Sequence, residues 1–494
     1  MYLNIIHCFH CIFYQFASWH NVCGTAGNQN GRGISVAKAN VDDFVAAFRR
    51  EIDATASACV GCGKCYEICP ITESAGVNGL DSTVVTNGIR DILSGGDINQ
   101  NSRQWADACI LSGDCIESCN YGINPRLMLT MARAISKERT HNEKERKLEG
   151  QKAFKALGAG VKVLSRMQLT AADRERLGQG GNIADSDEKS VDYVFYTGCN
   201  VLKTPHIALL CLDIMDALDI NYTVLGGPSH CCGILQFRAG DMKTSTKVAS
   251  NTIEKFIRTG ATEVLSWCPT CQVQYSEFGL PTYESATGIK PFEMTPFVLF
   301  LASQLDALRP LLKHPVQKKI ALHLHPGISG LPRAARKLCD AVPGIEVIDL
   351  NLPEIGLMSN SLSTVPSLKK ELQSQELAVA EAAGVDALAA VYHADHRELC
   401  AHERDYPFRV INFLEIIAES MGFFRDDTFK TMKIKQDAEK ILSDCANMLE
   451  ANAISKDQAR PIVETALLGE QPVPLRGEKF LLPHKAFLFQ PTVD

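Results

Sequence analysis

Basic charge is not in surplus: 50 Lys and Arg stand against 57 Asp and Glu over 494 residues, a formal net charge of −7. Nucleic-acid binders carry a basic excess or stripe, so that class of function is set aside. No uninterrupted run of the roughly 18 apolar residues that cross a bilayer is present, and no spanning helix is expected. No G-x-G-x-x-G follows a strand-like segment, so no flavin or dinucleotide is expected on this chain. Glycine (35) and proline (21) are too sparse for a low-complexity protein, while 46% apolar and 22% charged residues are ordinary for a globular one. At about 150 residues per domain the length points to roughly three domains.

What is present in number is cysteine, 19 in all. A disulfide-dense secreted domain would be far shorter and richer in cysteine. An odd total at metal-ligand spacings, with no secretory pattern, argues for a reducing compartment and for metal rather than disulfides.

Residues 1–40 are expected to be an irregular extension. The opening MYLNIIHCFHCIFYQFASW is apolar but holds Asn4, His7, His10 and Gln15 and lacks a basic start. Cys8, Cys11 and Cys23 there stay unassigned. A helix is expected from Val41, where Phe44, Val45, Phe48 and Ile52 recur at helical spacing behind Asp42 and Asp43. Another is expected after Pro125 through Leu127, Met128, Met131 and Ile135, running into the solvated stretch 137–147. Residues 151–190 read as a linker, clearest in the Gly-rich segment 178–190. Strands then alternate with helices. VDYVFYTG (191–198), YTVLGG and EVLSWCPTC are each a strand running into a loop, and Thr204-Pro205 opens a helix. KIALHLHPG (319–327), GIEVIDL (344–350) and VDALAAVYHADH (385–396) repeat that order, which points to a duplicated α/β unit with parallel sheets. The expected organisation is a mainly helical part at 41–150, α/β units at 191–310 and 311–425, and a helical tail at 426–494.

The first motif is Cys59-x-x-Cys62-x-x-Cys65-x-x-x-Cys69-Pro70. This is the run that holds a [4Fe–4S] cubane in bacterial-type ferredoxins, with the fourth cysteine serving the neighbouring cluster. Two separated pairs, as zinc prefers, do not fit it. The second motif, Cys109-x-x-Ser112-x-x-Cys115-x-x-x-Cys119, keeps the frame with serine at the second place. Crossed ligation assigns Cys59, Cys62, Cys65 and Cys119 to one cluster. It leaves Cys109, Cys115 and Cys69 with Ser112 for the other. Three outcomes are open there: an oxygen-ligated [4Fe–4S] cluster, a [3Fe–4S] cluster, or none. A harder oxygen ligand would lower the potential.

Cys199, the pair Cys231-Cys232 followed by Gly233, and Cys268-Pro269-Thr270-Cys271 form a third set, placed in loops after successive strands. Ligands in open α/β sheets gather at the carboxyl ends of strands. Five thiols are too many for one zinc. This segment resembles the cysteine-rich CCG domain of the heterodisulfide reductase family. The resemblance covers roughly residues 41–420 and extends to the iron–sulfur subunits of glycolate oxidase and anaerobic glycerol-3-phosphate dehydrogenase. It implies an α+β multidomain protein: a dicluster ferredoxin-like domain followed by two CCG-type units. It also implies a non-cubane [4Fe–4S] cluster on Cys199, Cys231, Cys232, Cys268 and Cys271, where disulfide chemistry occurs.

The second α/β unit departs from that pattern. Pro326-Gly327 replaces the Pro-Cys expected there, no Cys-Cys lies near 351–360, and His393 and His396 stand at the CxxC position. A second non-cubane cluster is therefore not expected. Two readings of His323, His325, His393 and His396 are open: a gathering around one metal or quinone, or satisfied polar residues of a degenerate repeat. His230 and Arg238 flank the cysteine pair and could supply a proton and a charge.

The expected function is an iron–sulfur oxidoreductase subunit relaying electrons through ferredoxin-type clusters to disulfide or thiol chemistry. The alternative is an electron-transfer subunit of a flavin dehydrogenase passing electrons to quinone; a cluster-loaded scaffold or redox sensor is a third. Expected partners are a flavoprotein or other redox subunit and a quinone-reactive membrane subunit, but no nucleic acid. The expected location is cytoplasmic, with any membrane contact made through a partner.

Overall fold

The computed structural model describes residues 40–178 and 191–470. The expected extension at 1–39, the Gly-rich segment 179–190 and the last residues of the tail lie outside the described residues.

Two copies of one helical pattern open the described chain. Helix Val41–Ala58 is capped by Asn40, whose side chain accepts from the Asp42 amide, and it ends at Cys59. A loop follows, then Gly63 at φ 82° and the single turn Lys64–Glu67. Helix Gln100–Ala108 is capped by Asn99 and ends at Cys109; Gly113 at φ 93° then opens the turn Asp114–Glu117. In both copies the glycine supplies the left-handed residue that lets the chain reverse around its cysteines. Helices Ser82–Leu93 and Pro125–Thr140 pack between the copies. Their apolar faces share a core with Phe48, Ile52, Trp105 and Met128.

The charged stretch 137–147 is not one helix. It breaks at His141, and the Asn142 capping box starts a 24-residue helix, Glu143–Arg166. The first half of the expected linker, 151–166, thus belongs to a long helix. Its buried Val163 and Leu164 pack with the C-terminal part of the chain.

The next segment is parallel β. Strands β1 (Tyr193–Tyr196), β2 (Tyr222–Leu225), β3 (Glu263–Ser266) and β4 (Glu293–Pro296) form a sheet in the order β2-β1-β3-β4. Tyr193 is in register with both Tyr222 and Glu263. Strands β5 (Lys318–His323), β6 (Ile345–Ile348), β7 (Ala387–Ala390) and β8 (Arg409–Asn412) repeat the order as β6-β5-β7-β8. The fold is therefore α+β with two small parallel sheets, as the strand repeats imply. In both sheets the chain changes direction across the first strand, which opens a crevice at the carboxyl ends.

Helices Pro205–Ala217, Phe297–Ser303, Leu331–Asp340 and Phe413–Met421 fill the space between the sheets. Ile207, Leu210, Phe297, Leu301, Leu338 and Ile417 are buried there in one core. Each such side chain contributes about 1.5–3 kcal/mol. Thr204 occupies the N-cap of the first of these helices, but its hydroxyl donates back to Val201 O at 3.2 Å instead of accepting from the helix. The C-terminal helices, from Thr428 to Leu468, cover the second sheet. Phe429, Leu442, Val463 and Leu467 meet Leu377 and Leu388 in a shared core. Among the described residues no helix is long and apolar enough to cross a membrane.

Candidate functional site: a buried set of five cysteines

The first sheet brings the third cysteine set together. Beyond β1 the chain turns at Gly198, φ +69°, and places Cys199 at the head of the turn Asn200–Lys203. Beyond β2 the turn Pro228–His230 leads to Cys231 in extended conformation. Gly233 then opens helix Ile234–Arg238. Beyond β3, Cys268 caps helix Pro269–Val273, which carries Cys271. All five thiols are free and buried.

Their sulfurs meet. Cys271 Sγ donates to Cys232 Sγ at 3.5 Å, and the Gly233 amide donates to Cys231 Sγ at 3.4 Å. Cys199 Sγ donates to Gly227 O at 3.4 Å and also pairs with Cys231. Tyr196 Oη lies 3.7 Å from Cys271 Sγ and donates to His230 O at 2.7 Å. Donation from Cys199 and Cys232 outweighs burial and pulls the Cys231 thiol down to about 3. The thiols that donate, Cys199 and Cys271 among them, are pushed up. A buried pocket lined by five soft donors suits a cluster of iron rather than a single hard ion. His230 is not poised to give a proton: its Nδ1 lies against Gly226 O at 2.8 Å, and burial lowers its pKa. Arg238 is exposed, and its guanidinium lies within electrostatic reach of Cys232, Cys268 and Cys271.

The helical part brings its cysteines together in two groups that cross between the motifs. The Cys59 thiol feels Cys119 and Cys62, and Cys65 feels Cys59 and Cys62. Cys69 feels Cys109, and Cys115 feels Cys109, Cys69 and Cys65. Burial pushes Cys65 up to about 12 and Cys69 up to about 11. Thiols this reluctant to ionise become thiolates when a cation takes the proton's place. The amides of Gly61 and Leu111 stand at the same place in the two copies and donate to Cys59 and Cys109. Ser112 is buried, and its hydroxyl donates to Asp114 Oδ2 at 2.9 Å. Asp114 in turn lies within reach of Cys69. Spacing alone did not mark Asp114, nor Trp105, whose Nε1 donates to Cys69 Sγ at 3.3 Å.

The four histidines of the second unit do not gather around one point. His323 and His325 come together with Asp395. His396 joins His206, Glu415 and Asp427 in a separate buried group, where it lies 2.7 Å from Asp427 Oδ2. His393 is buried by itself. Its Nδ1 has no hydrogen-bond partner among the described residues, and burial pulls it down to about 3. Asp395 and Asp427 escaped the sequence reading because both work through folded partners far along the chain. The motif His393-Ala-Asp395-His396 was nevertheless a signal for the first of them.

The cysteine-rich domain family, CCG, matches residues 193–276, which hold the first three strands of the first sheet and all five cysteines. Residues 193–276 thus carry a CCG-type cysteine-rich domain, and the chain is similar to heterodisulfide reductase subunits. The chain is similar to one of the subunits of Dihydromethanophenazine:CoB--CoM heterodisulfide reductase, in three species. To that of Methanosarcina barkeri it is 25% identical over 171 residues, 33% of this chain and 41% of the relative. To that of Methanosarcina mazei it is 22% identical over 252 residues, 48% and 60% respectively. To that of Methanosarcina acetivorans it is 23% identical over 205 residues, 40% and 48%. The chain thus spans about half the length of the curated relatives it matches. No solved structure matches it.

Proposed function

We propose that this chain is the iron–sulfur subunit of an oxidoreductase that joins ferredoxin-type electron transfer to the reduction of a disulfide, or the reverse oxidation of thiols. The observation that carries this reading is the convergence of Cys199, Cys231, Cys232, Cys268 and Cys271 from three strand ends into one buried pocket. When bound there, a non-cubane [4Fe–4S] cluster would supply the redox chemistry at sulfur. Cys59, Cys62, Cys65 and Cys119 would hold one cubane, and Cys69, Cys109 and Cys115 a second, with oxygen from Ser112 on its fourth side.

The protein's own groups fit that task. A cleft of about 440 Å³ is lined by Leu111 of the second cubane loop, by Thr270 of the cysteine loop, and by Arg133 and Arg238. The two guanidinium groups can hold a thiolate leaving group by charge-assisted hydrogen bonds. Tyr196 Oη lies 3.7 Å from Cys271 Sγ, and Tyr275 Oη donates to Cys231 O at 3.3 Å. Burial and the neighbouring thiols push both phenols up, so they remain proton donors. The relatives are reductase subunits, which supports a redox partner for this chain. We place that partner as a flavoprotein or other redox subunit, with a membrane quinone-reactive subunit beyond it and this chain on the cytoplasmic side.

The missing cysteines of the second unit favour a second reading: an electron-transfer subunit of a flavin dehydrogenase, glycolate oxidase-like, with no substrate of its own. Electron paramagnetic resonance on anaerobically purified protein separates the two. The sample is reduced with dithionite, then exposed to a thiol or a disulfide, with iron counted alongside. A thiol-dependent signal that is lost in Cys231→Ala, beside an unchanged ferredoxin-type signal, is the expected result. Ferredoxin-type signals indifferent to thiols would leave the electron-transfer subunit.

A further inference from the structure

At the carboxyl ends of β5 and β7, where the first unit gathers its cysteines, the second unit gathers nitrogen and oxygen. His323 ends β5, His325 lies two residues on, and Asp395 sits in the first turn of helix His393–Leu399 after β7. His323 Nδ1 faces Glu376 Oε2 at 2.7 Å, and His325 Nδ1 faces the Ile355 carbonyl at 2.7 Å. A carbonyl only accepts, so His325 carries its hydrogen on Nδ1. A carboxylate orients His323 the same way. Both rings therefore turn their Nε2 atoms inward. These two nitrogens are 3.1 Å apart, and Asp395 Oδ1 lies 3.5 Å from His325 Nε2. Two ring nitrogens and a buried carboxylate thus converge on one point, with ligand atoms close enough together to share one cation.

The outer partners are those of a metal site. Metal-bound histidines give their other nitrogen to a carboxylate or a backbone carbonyl. The carboxylate is fixed as well, since Asp395 Oδ1 accepts from the Ser359 amide at 2.8 Å and Oδ2 from the Tyr392 amide at 3.3 Å. Ligand bonds of about 2.0–2.1 Å give a tetrahedral edge of about 3.4 Å, close to the 3.1 and 3.5 Å seen here. A cleft of about 860 Å³, lined by His323, His325, Glu354, Lys369, Glu376 and Glu398, opens on the remaining side. Ser359 Oγ borders that side, 3.2 Å from His323 Nε2.

We propose that the second α/β unit binds one divalent zinc-type ion on His323 Nε2, His325 Nε2 and the Asp395 carboxylate. Its fourth position faces the cleft, available to water or an anionic donor. Glu376 is a positioning residue that fixes the His323 ring. The site does not depend on the redox reading of the cysteines, because it shares no ligand with them.

The test uses the full chain, purified anaerobically, with zinc, iron and acid-labile sulfide counted in one sample and zinc K-edge absorption recorded on it. About one zinc per chain, in a first shell of nitrogen and oxygen near 2.0 Å, is expected. In His325→Ala that zinc is lost while iron and sulfide stay unchanged. In Glu376→Gln zinc affinity falls about 10- to 100-fold. A chain that takes up no added zinc holds a proton in this place, and the proposal is overturned. It is overturned equally if zinc binds His325→Ala as well as the parent, or if its shell contains sulfur. Should His325→Ala lose iron together with zinc, the variant has misfolded. The parent's zinc shell then decides, with nitrogen and oxygen alone sustaining the assignment.

Discussion

Cys62 and Ser112 occupy the same place in two copies of one local pattern: a capped helix, a cysteine, and a turn opened by a left-handed glycine. One atom separates them. Oxygen is the harder donor, and the structure adds a second oxygen source by seating Ser112 on Asp114 at 2.9 Å. On the opposite side Trp105 Nε1 donates to Cys69 Sγ at 3.3 Å. A hydrogen bond to sulfur favours the reduced state and a harder ligand the oxidised one, so the two residues would pull the proposed second cubane in opposite directions. In Ser112→Cys the potential of the lower ferredoxin-type centre is expected to rise by on the order of 50 mV, about 1 kcal/mol per electron. Redox-titrated resonance spectra would read it, and an unmoved potential would show that Ser112 lies outside the cluster.

At the scale of elements, β1, β2, β3, β5 and β7 deliver their chemistry from the strand's last residue to seven residues beyond it. That delivery depends on how the chain leaves the strand. After β1 it leaves through Gly198 at φ +69°. A Cβ added there would sit 3.0 Å from Cys268 Cβ and 3.5 Å from Cys271 Sγ. Gly198→Ala therefore bears both the left-handed cost of about 1–2 kcal/mol and an overly close contact with Cys268. The expected outcome is fewer irons per chain and loss of the thiol-dependent signal, with the ferredoxin-type signal intact. Full iron content in this variant would mean that the loop has room to move. The second sheet uses the same strand-end geometry for different donors, which is why a repeat that lost its cysteines can still be a site.

Across the whole molecule, Arg126 ties the helical part to both sheets. Its guanidinium pairs with Glu277 beyond β3, with Nε 3.3 Å from Oε2. It also donates to Leu111 O at 3.1 Å and to Gly327 O at 2.5 Å. The side chains of Arg126 and Glu277 are 7% and 15% exposed, so the pair is largely out of water. Removing one partner of such a pair leaves an uncompensated charge and costs about 3–5 kcal/mol. Arg126→Met is expected to lower the stability of the full chain by about 3 kcal/mol, read from urea midpoints. Glu277→Leu added to it should recover part of that loss. An unchanged midpoint in Arg126→Met would sink this account of the junction. The loop that supplies Ile355 O to His325 meets the same region, since the Leu357 amide donates to Ile110 O at 3.1 Å and Thr364 Oγ1 to Ala108 O at 2.9 Å.

Spacing along the chain sufficed for the CCG segment, because soft thiols at short fixed intervals have few other uses. The strand repeats sufficed for two like-ordered parallel sheets, because a buried apolar run that ends in a loop recurs with little ambiguity. The polar partners were beyond its reach. Glu376 lies 53 residues from His323, and Glu277 lies 151 residues from Arg126; nothing local selects either pair. His323, His325, His393 and His396, which the sequence leaves open as one gathering or as separate polar residues, separate in the fold. The turn of helix His393–Leu399 sends Asp395 toward β5 and His396 toward His206 and Asp427. Periodicity and ligand spacing are properties of short segments, whereas charge pairing and metal geometry belong to surfaces that exist only once the sheets have closed.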